Sequence, residues 1–260
     1  MISLACSTVS CDLFSDNNFS KTFEVLPKTK FRNIEFNCWH PSDLTPKTVQ
    51  SIKERSERLG LTPISVYGVS FGGNGTHELS KDVCHKIRMI EAACELGCNR
   101  IVATGGAKGA YGGLEGIITV LKEIVPFAEE KDVIICLENH AGNNLEDIED
   151  YDKIFEAISS PNVGLCVDTG HFDAANVDLD YVVDHFHTKI NHIHVKEAVK
   201  KGITQFVRFG EGITDNNRLI ERIIKHGYSG YISVELAIED KSNILHDLEV
   251  PYNLFSKYEI

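Results

Sequence analysis

The sequence predicts an α/β protein with a single (β/α)₈ barrel covering residues 1–260. Eight strand-like runs alternate strictly with eight helix-like segments, which is typical of a parallel sheet with helices packed outside it. Four of the later strands also end on or beside a side chain that can bind a metal: Glu138, Asp168, His194 and Glu235. No stretch has the composition of a linker, so one domain is expected.

The predicted strands are short apolar runs rich in β-branched residues and bounded by polar or glycine-containing segments. They cover residues 2–6, 33–37, 62–69, 100–104, 133–138, 163–168, 190–196 and 231–235.

The predicted helices lie between the strands and after the last one. They cover residues 19–29, 46–59, 78–96, 114–130, 149–158, 178–187, 217–226 and 239–258. The second has the clearest limits, because Thr45 can cap it, Pro46 suits its first position and Gly60 follows its end. The third is expected to follow a polar start at 76–78 and to stop before Gly97.

A doubly wound open sheet would show the same alternation. In an open sheet, however, the strands that carry the four candidate ligands would be spread over a line about 15 Å long, at about 4.8 Å per strand. Closure into a barrel brings them close enough to share one ion. The barrel is therefore the preferred interpretation.

The formal charge of −12 opposes binding to a polyanion, so no nucleic-acid partner is expected. No apolar run reaches the length of a membrane span, so no membrane-spanning segment is indicated. No basic segment precedes the apolar N-terminus, so no secretory signal is indicated either. A cytoplasmic location is expected, and a homo-oligomer is left open.

The eight cysteines include no Cys-x-x-Cys pair and are interpreted as reduced core thiols.

Three carboxylates and one imidazole form a mostly oxygen donor set, which suits Mn²⁺ or Mg²⁺ better than structural Zn²⁺. An ion that binds a substrate carbonyl and the adjacent hydroxyl acidifies the neighbouring C–H and stabilises the enediolate, while a carboxylate serves as base. Side-chain alternation places His192, His194 and Lys196 on one face of their strand. For His192, a place deeper in the barrel interior is preferred to a ligand role.

Several motifs resemble the sugar isomerase and epimerase barrels related to xylose isomerase and to the endonuclease IV type of repair enzyme. They are 137–140 (Leu-Glu-Asn-His), 163–171 (Val-Gly-Leu-Cys-Val-Asp-Thr-Gly-His), 192–197 (His-Ile-His-Val-Lys-Glu), 209–212 (Phe-Gly-Glu-Gly) and 233–235 (Ser-Val-Glu). The resemblance covers nearly the whole chain. It implies a xylose isomerase-like TIM barrel.

The resemblance also implies a single divalent metal held by Glu138, Asp168, His194 and Glu235. Mn²⁺ is the preferred ion, with Mg²⁺, Co²⁺ and Zn²⁺ as alternatives. The two glutamates would flank the carbon that loses and regains a proton, as catalytic acid and base. His171 would contact the substrate, a small sugar or sugar derivative.

Three further residues are substrate-binding candidates, each with an alternative. Lys196 could bind a substrate oxygen or only form ion pairs. His140 could line the pocket or only orient Glu138. Trp39 could wall the sugar pocket or pack beneath a loop.

The expected activity is isomerisation or epimerisation of a sugar, sugar acid or cyclitol. A lyase that dehydrates an inosose or keto-sugar is the runner-up, and a non-catalytic sugar-binding protein is the alternative from another class. DNA repair is disfavoured because the extra zinc ligands of the endonuclease branch are missing. A free ketohexose is doubtful, because Asn144 and Lys200 stand where ketose 3-epimerases carry glutamate and arginine.

Substrate identity is expected to reside in the mouth loops, residues 37–40, 70–77, 104–113 and 198–210. The glycine-rich runs at 71–75 and 104–113 do not match a phosphate-binding loop and are interpreted as flexible. Lys200, Lys201 and Arg208 suggest either a site for an anionic substrate group or an ordinary solvated surface.

Overall fold

The structure, a computed structural model, describes residues 1–13, 18–72, 79–110 and 112–259. Its strands are β1 Ile2–Ser7, β2 Asn33–Cys38, β3 Thr62–Gly68, β4 Arg100–Thr104, β5 Ile134–Glu138, β6 Val163–Asp168, β7 Ile190–Val195, β8 Glu197–Ala198, β9 Phe206–Val207 and β10 Gly230–Val234. Eight of them pair in parallel as a closed barrel in the order β1-β10-β7-β6-β5-β4-β3-β2. The predicted (β/α)₈ fold is confirmed, and the open sheet is excluded.

The helices surround the barrel. They are α1 Val9–Asp12, α2 Ser20–Val25, α3 Pro46–Leu59, α4 Leu79–Leu96, α5 Gly113–Glu130, α6 Ile148–Ala157, α7 Thr169–Ala174, α8 Leu179–Phe186, α9 Asn216–Lys225 and α10 Ile244–Phe255. An apolar layer between strands and helices forms the main core.

The limits of α3 follow its sequence signals. The Thr45 hydroxyl accepts a hydrogen bond from the Thr48 N–H, Pro46 occupies the first turn, and Gly60 ends the helix with a φ of 64° that favours glycine. The predicted start of the next helix at 76–78 lies outside the described residues, and that helix ends at Leu96 as expected.

Two predicted helices are shorter in the structure. The segment predicted as 19–29 forms α2 and then a 3₁₀ turn at Leu26–Lys28, because Pro27 has no N–H with which to continue an α-helical ladder. The segment predicted as 239–258 forms α10 only from Ile244. Two short additions, α7 and the antiparallel β8–β9 pair, were not predicted, and both lie close to the ends of barrel strands.

The eight cysteines are all free thiols. Six are buried, as predicted, but Cys84 and Cys94 are exposed on α4, so the prediction of core thiols is wrong for these two. They fall on the solvent side of the helix, which the sequence position alone did not reveal. No helix within the described ranges is long and apolar enough to cross a membrane.

Candidate active site

The four predicted metal-binding residues meet at one end of the barrel. Glu138 ends β5, Asp168 ends β6, His194 lies near the end of β7, and Glu235 directly follows β10. Strand register places Asp168 opposite His194, and His194 opposite Ser233. One donor atom from each of the four side chains lies within 4.8 Å of the others, and all four residues are buried.

The imidazole of His194 links two of the carboxylates. Its Nδ1 lies 2.5 Å from Glu138 Oε1 and 3.2 Å from Glu235 Oε2. The cluster therefore contains closely spaced negative groups, which burial makes costly unless cations compensate them.

Lys196 supplies such a cation from the residue after β7. Its Nζ lies 2.9 Å from Asp168 Oδ2, 2.8 Å from Glu235 Oε1 and 4.7 Å from the centre of the Phe206 ring. Burial opposes the charged form, but the attraction of the surrounding carboxylates outweighs it and raises the pKa of Lys196. Lys196 is therefore charged at neutral pH. Its ion-pairing role is present in the structure, while its contact with substrate stays a prediction.

Tyr67 was not predicted from the sequence, yet it belongs to this cluster. Its hydroxyl donates a hydrogen bond to Glu138 Oε2. Its ring centre lies 5.6 Å from that of His194 and 6.0 Å from that of Trp39. The sequence signal that could have identified Tyr67 is side-chain alternation along β3, because it places Tyr67 and the polar Ser65 on the same face of the strand.

Asp168 is fixed by bonds to its backbone and side chain. The Asn139 amide donates to the Asp168 carbonyl at 3.0 Å and accepts from the Asp168 N–H at 2.8 Å. Asp168 Oδ1 accepts from the His171 N–H at 2.8 Å and so caps α7. Only Oδ2 is left to face the cluster.

Comparison with known proteins assigns the family. A family model described as "Xylose isomerase-like TIM barrel" matches residues 23–251. The chain belongs to this family. An inosose dehydratase from Geobacillus thermodenitrificans (strain NG80-2) is 27% identical over 137 residues, which cover 46% of this chain and 45% of that protein. The match thus spans a little under half the length of this curated relative.

Two solved structures share the xylose isomerase-like fold over almost the whole chain. A D-tagatose 3-epimerase-like protein is 21% identical with a TM-score of 0.81, covering 98% of this chain and 97% of that one. The IOLI protein with a binding zinc atom is 22% identical with a TM-score of 0.79, covering 98% and 99%. These similarities support the fold, and the zinc is a feature of the IOLI structure.

Aromatic side chains border the cluster in this xylose isomerase-like barrel. The rings of His140 and His171 pack against each other at a tilt of 31°, with centres 3.7 Å apart, and His171 also contacts Phe206 at 4.7 Å. Burial lowers the pKa of both histidines, so both are neutral at pH 7. Trp39 is half-buried and packs edge-on against Tyr67. The predicted substrate-binding residues thus lie beside the predicted metal ligands.

The glycine-rich loop after β4 is held by Asn144 rather than left open. The Asn144 side-chain amide donates to the carbonyls of Gly105, Ala107 and Ala110 at 2.9–3.2 Å. Its oxygen accepts from the Gly109 N–H at 2.6 Å. These bonds connect residues 105–110 to the segment after β5, and Lys108 pairs with Glu146 at 2.5 Å. The expected flexibility of 104–113 stays a prediction. Of the loop at 70–77, residues 73–77 lie outside the described residues.

The cationic run at 200–208 does not converge on one point. Arg208 pairs with Asp240 at 2.9 Å and with Asp247 at 3.1 Å, whereas Lys201 lies 4.0 Å from Asp173. These contacts favour the ordinary surface interpretation over an anion site.

The donor chemistry fits a divalent ion. Asp168 Oδ2 and Glu235 Oε2 are buried and accept no hydrogen bond of good geometry from the described residues, although Lys196 and His194 lie within ion-pair distance of them. Three carboxylates with one imidazole nitrogen form a mostly oxygen donor set that suits a divalent ion such as Mn²⁺. Glu138, Asp168, His194 and Glu235 are the residues that could hold it.

Proposed function

We propose that this barrel is a divalent-metal enzyme that moves a proton next to a carbonyl of a sugar, sugar acid or cyclitol, and so isomerises or epimerises it. The observation that carries the proposal is the meeting of three carboxylates and one imidazole within 4.8 Å at the ends of four barrel strands. Mn²⁺ is the preferred ion because the donors are mostly oxygen.

The bound ion would polarise the substrate carbonyl and lower the pKa of the adjacent C–H. Glu138 and Glu235 are the acid and base: one carboxylate takes the proton from carbon, and a protonated carboxylate returns it to the neighbouring carbon or to the other face of the same carbon. Tyr67 fixes Glu138 through its second oxygen. Lys196 stabilises negative charge that develops on a substrate oxygen.

The two neutral histidines beside the cluster, His140 and His171, are suited to hydrogen bonding with sugar hydroxyls. A neutral imidazole offers one donor and one acceptor, and a sugar hydroxyl offers both as well. His171 and His140 would orient the substrate, and Trp39 would cover an apolar face of the ring.

A lyase that dehydrates an inosose is the second candidate. It is favoured by the similarity of 137 residues to an inosose dehydratase. The first step is the same proton removal, but the neighbouring hydroxyl then leaves as water after gaining a proton. Lys196, which is charged, is the candidate donor of that proton, and the neutral His171 could hydrogen-bond the leaving hydroxyl.

Incubating the metal-loaded protein with ketoses and inososes in D₂O distinguishes these reactions. Isomerase or epimerase activity gives a product that carries deuterium and is otherwise of equal mass, whereas lyase activity gives loss of water. Binding without deuterium exchange across the panel would instead favour a non-catalytic sugar-binding protein. Binding without exchange would refute the proposal that this protein is an enzyme.

Metal affinity is expected to fall as the pH drops below about 7. Burial raises the pKa of Asp168 to about 7, with Glu138 and Glu235 acting in the same direction and Lys196 against them. The protonated carboxyl must lose its proton before it can bind an ion, so binding releases more protons below pH 7 than above it. Titration calorimetry with Mn²⁺ in buffers of different ionisation enthalpy measures this release. An affinity and proton count that do not vary with pH would contradict it.

Tyr67→Phe is expected to lower kcat/KM by about tenfold to a hundredfold, because a hydrogen bond to a charged group contributes about 1.5–3 kcal/mol. The substitution removes only the hydroxyl that donates to Glu138 and keeps the ring against Trp39. Steady-state kinetics measures the change. Tyr181→Phe, at an exposed tyrosine, is the matched control and should be neutral. Equal kinetics for the two variants would refute a role for the Tyr67 hydroxyl.

A further inference from the structure

A buried carboxylate on the second strand contacts the candidate metal-binding histidine from behind. Glu35 lies in the interior of the barrel and is fully buried. Its Oε1 is 2.7 Å from His194 Nε2, and its Oε2 is 2.9 Å from His192 Nε2. The Ser65 hydroxyl donates to Oε2 at 2.7 Å. Glu35 was not predicted as a site residue from the sequence.

The two ring nitrogens of His194 therefore face different partners. Nδ1 faces Glu138 and Glu235, which both belong to the candidate metal centre. Nε2 faces Glu35. An imidazole that binds a metal through one nitrogen commonly donates its other N–H to a carboxylate, which fixes the ring and makes the first nitrogen a stronger donor.

We propose that Glu35 is a positioning residue for the metal centre: it holds His194 through Nε2, so that Nδ1 is aimed at Glu138, Asp168 and Glu235. The inference rests on the proposed metal function of that cluster. Glu35 acts through His194 and does not touch the substrate.

The surroundings of Glu35 suit this role. Burial disfavours its ionised form, but the imidazoles of His194 and His192 lie within ion-pair distance of its two oxygens, although neither Nε2 makes a hydrogen bond of good geometry with the described residues. Oε2 of Glu35 is held by His192 and Ser65, while Oε1 faces His194 and accepts a longer hydrogen bond of 3.5 Å from the Ser233 hydroxyl. His192 thus lies inside the barrel, as predicted, and supports the carboxylate.

The same three residues, Glu35, His192 and His194, are also close enough to one another to suggest a second cation site. The direct contacts of 2.7 and 2.9 Å favour ion pairs instead, because the carboxylate already occupies the space between the two rings. Binding of two equivalents of Mn²⁺, one of them lost on changing Glu35, would overturn the positioning role.

Titration calorimetry of Mn²⁺ into wild-type protein, Glu35→Gln and Glu35→Asp tests the proposal. Glu35→Gln keeps the size but loses the charge, and we expect its affinity to fall by about tenfold to a hundredfold. Glu35→Asp keeps the charge and should lose less. Ser65→Ala removes a bond to Glu35 without touching His194, and we expect a change of no more than about threefold. Equal affinities for wild type and Glu35→Gln would overturn the proposal.

A second measurement works on the metal-free protein. In ¹H–¹⁵N spectra of the imidazole nitrogens, wild type should show a slowly exchanging, downfield Nε2–H of His194 that Glu35→Gln shifts upfield. Glu138→Gln should leave that signal largely in place, because Glu138 contacts the other nitrogen. If wild type binds no divalent ion, the proposed function fails, while an Nε2–H signal that responds only to Glu35 still supports the contact. A signal unaffected by Glu35→Gln would refute it.

Discussion

Glu235→Gln is expected to lower kcat by at least about a thousandfold and to remove most of the bound divalent ion. Acid–base catalysis by one positioned group contributes about 10²–10⁴-fold, and the same carboxylate is a proposed ligand. Glutamine keeps the shape of the side chain but can neither accept the proton nor supply the negative charge. The variant also loses the ion pair of 2.8 Å with Lys196.

Metal analysis and steady-state kinetics on the same preparations measure both effects. Wild-type protein purified without a chelator should contain about one equivalent of metal per chain. Glu239→Gln is the matched control, since Glu239 is exposed four residues further along the chain and has no role in the cluster. Unchanged metal content in Glu235→Gln would refute its assignment as a ligand, and unchanged kcat would refute its assignment as a catalytic group.

The barrel could be predicted because its signals are local. Each strand is a short apolar run and each connection has helical periodicity, so the alternation is visible without knowledge of distant contacts. The errors concern segments where a local rule competes with periodicity. Pro27 shortens the helix before β2, and the predicted last helix begins only at Ile244.

The candidate ligands could be predicted because each one stands at the end of its own strand. Parallel strands in a closed barrel deliver such residues to the same rim. Tyr67 and Glu35 could not be found in this way, since their partners are far away in sequence. Tyr67 bonds to Glu138 across 71 positions, and a tyrosine or glutamate in a strand has many ordinary roles.

The mouth loops show a different limit of sequence reasoning. Glycines at 105–113 suggest mobility, but whether a glycine-rich loop is ordered depends on the side chains that bind its backbone. Asn144 provides both the donors and the acceptor that this loop needs. The charge of Lys200, Lys201 and Arg208 likewise could not show which acidic groups would neutralise it.

Lys196→Met is expected to destabilise the metal-free protein by about 3–5 kcal/mol, because it removes the buried cation that contacts two carboxylates and leaves them uncompensated. The raised pKa of Lys196 means that its contribution is fully present below its unfolded pKa of 10.5, so the loss applies throughout the neutral range. The loss should diminish as the pH falls below about 7, because burial raises the pKa of Asp168 to about 7 and the protonated carboxyl no longer needs a cation.

Denaturant unfolding with and without Mn²⁺ measures this effect, and Lys200→Met serves as control because Lys200 is exposed in the same connection. A bound divalent ion stabilises the folded state in proportion to its affinity and neutralises the same carboxylates, so Mn²⁺ should stabilise Lys196→Met more than wild type. Catalysis should not recover with stability, since the proposed oxygen contact of the ammonium is lost. A metal-free Lys196→Met protein as stable as the control would show that the cluster does not need this cation.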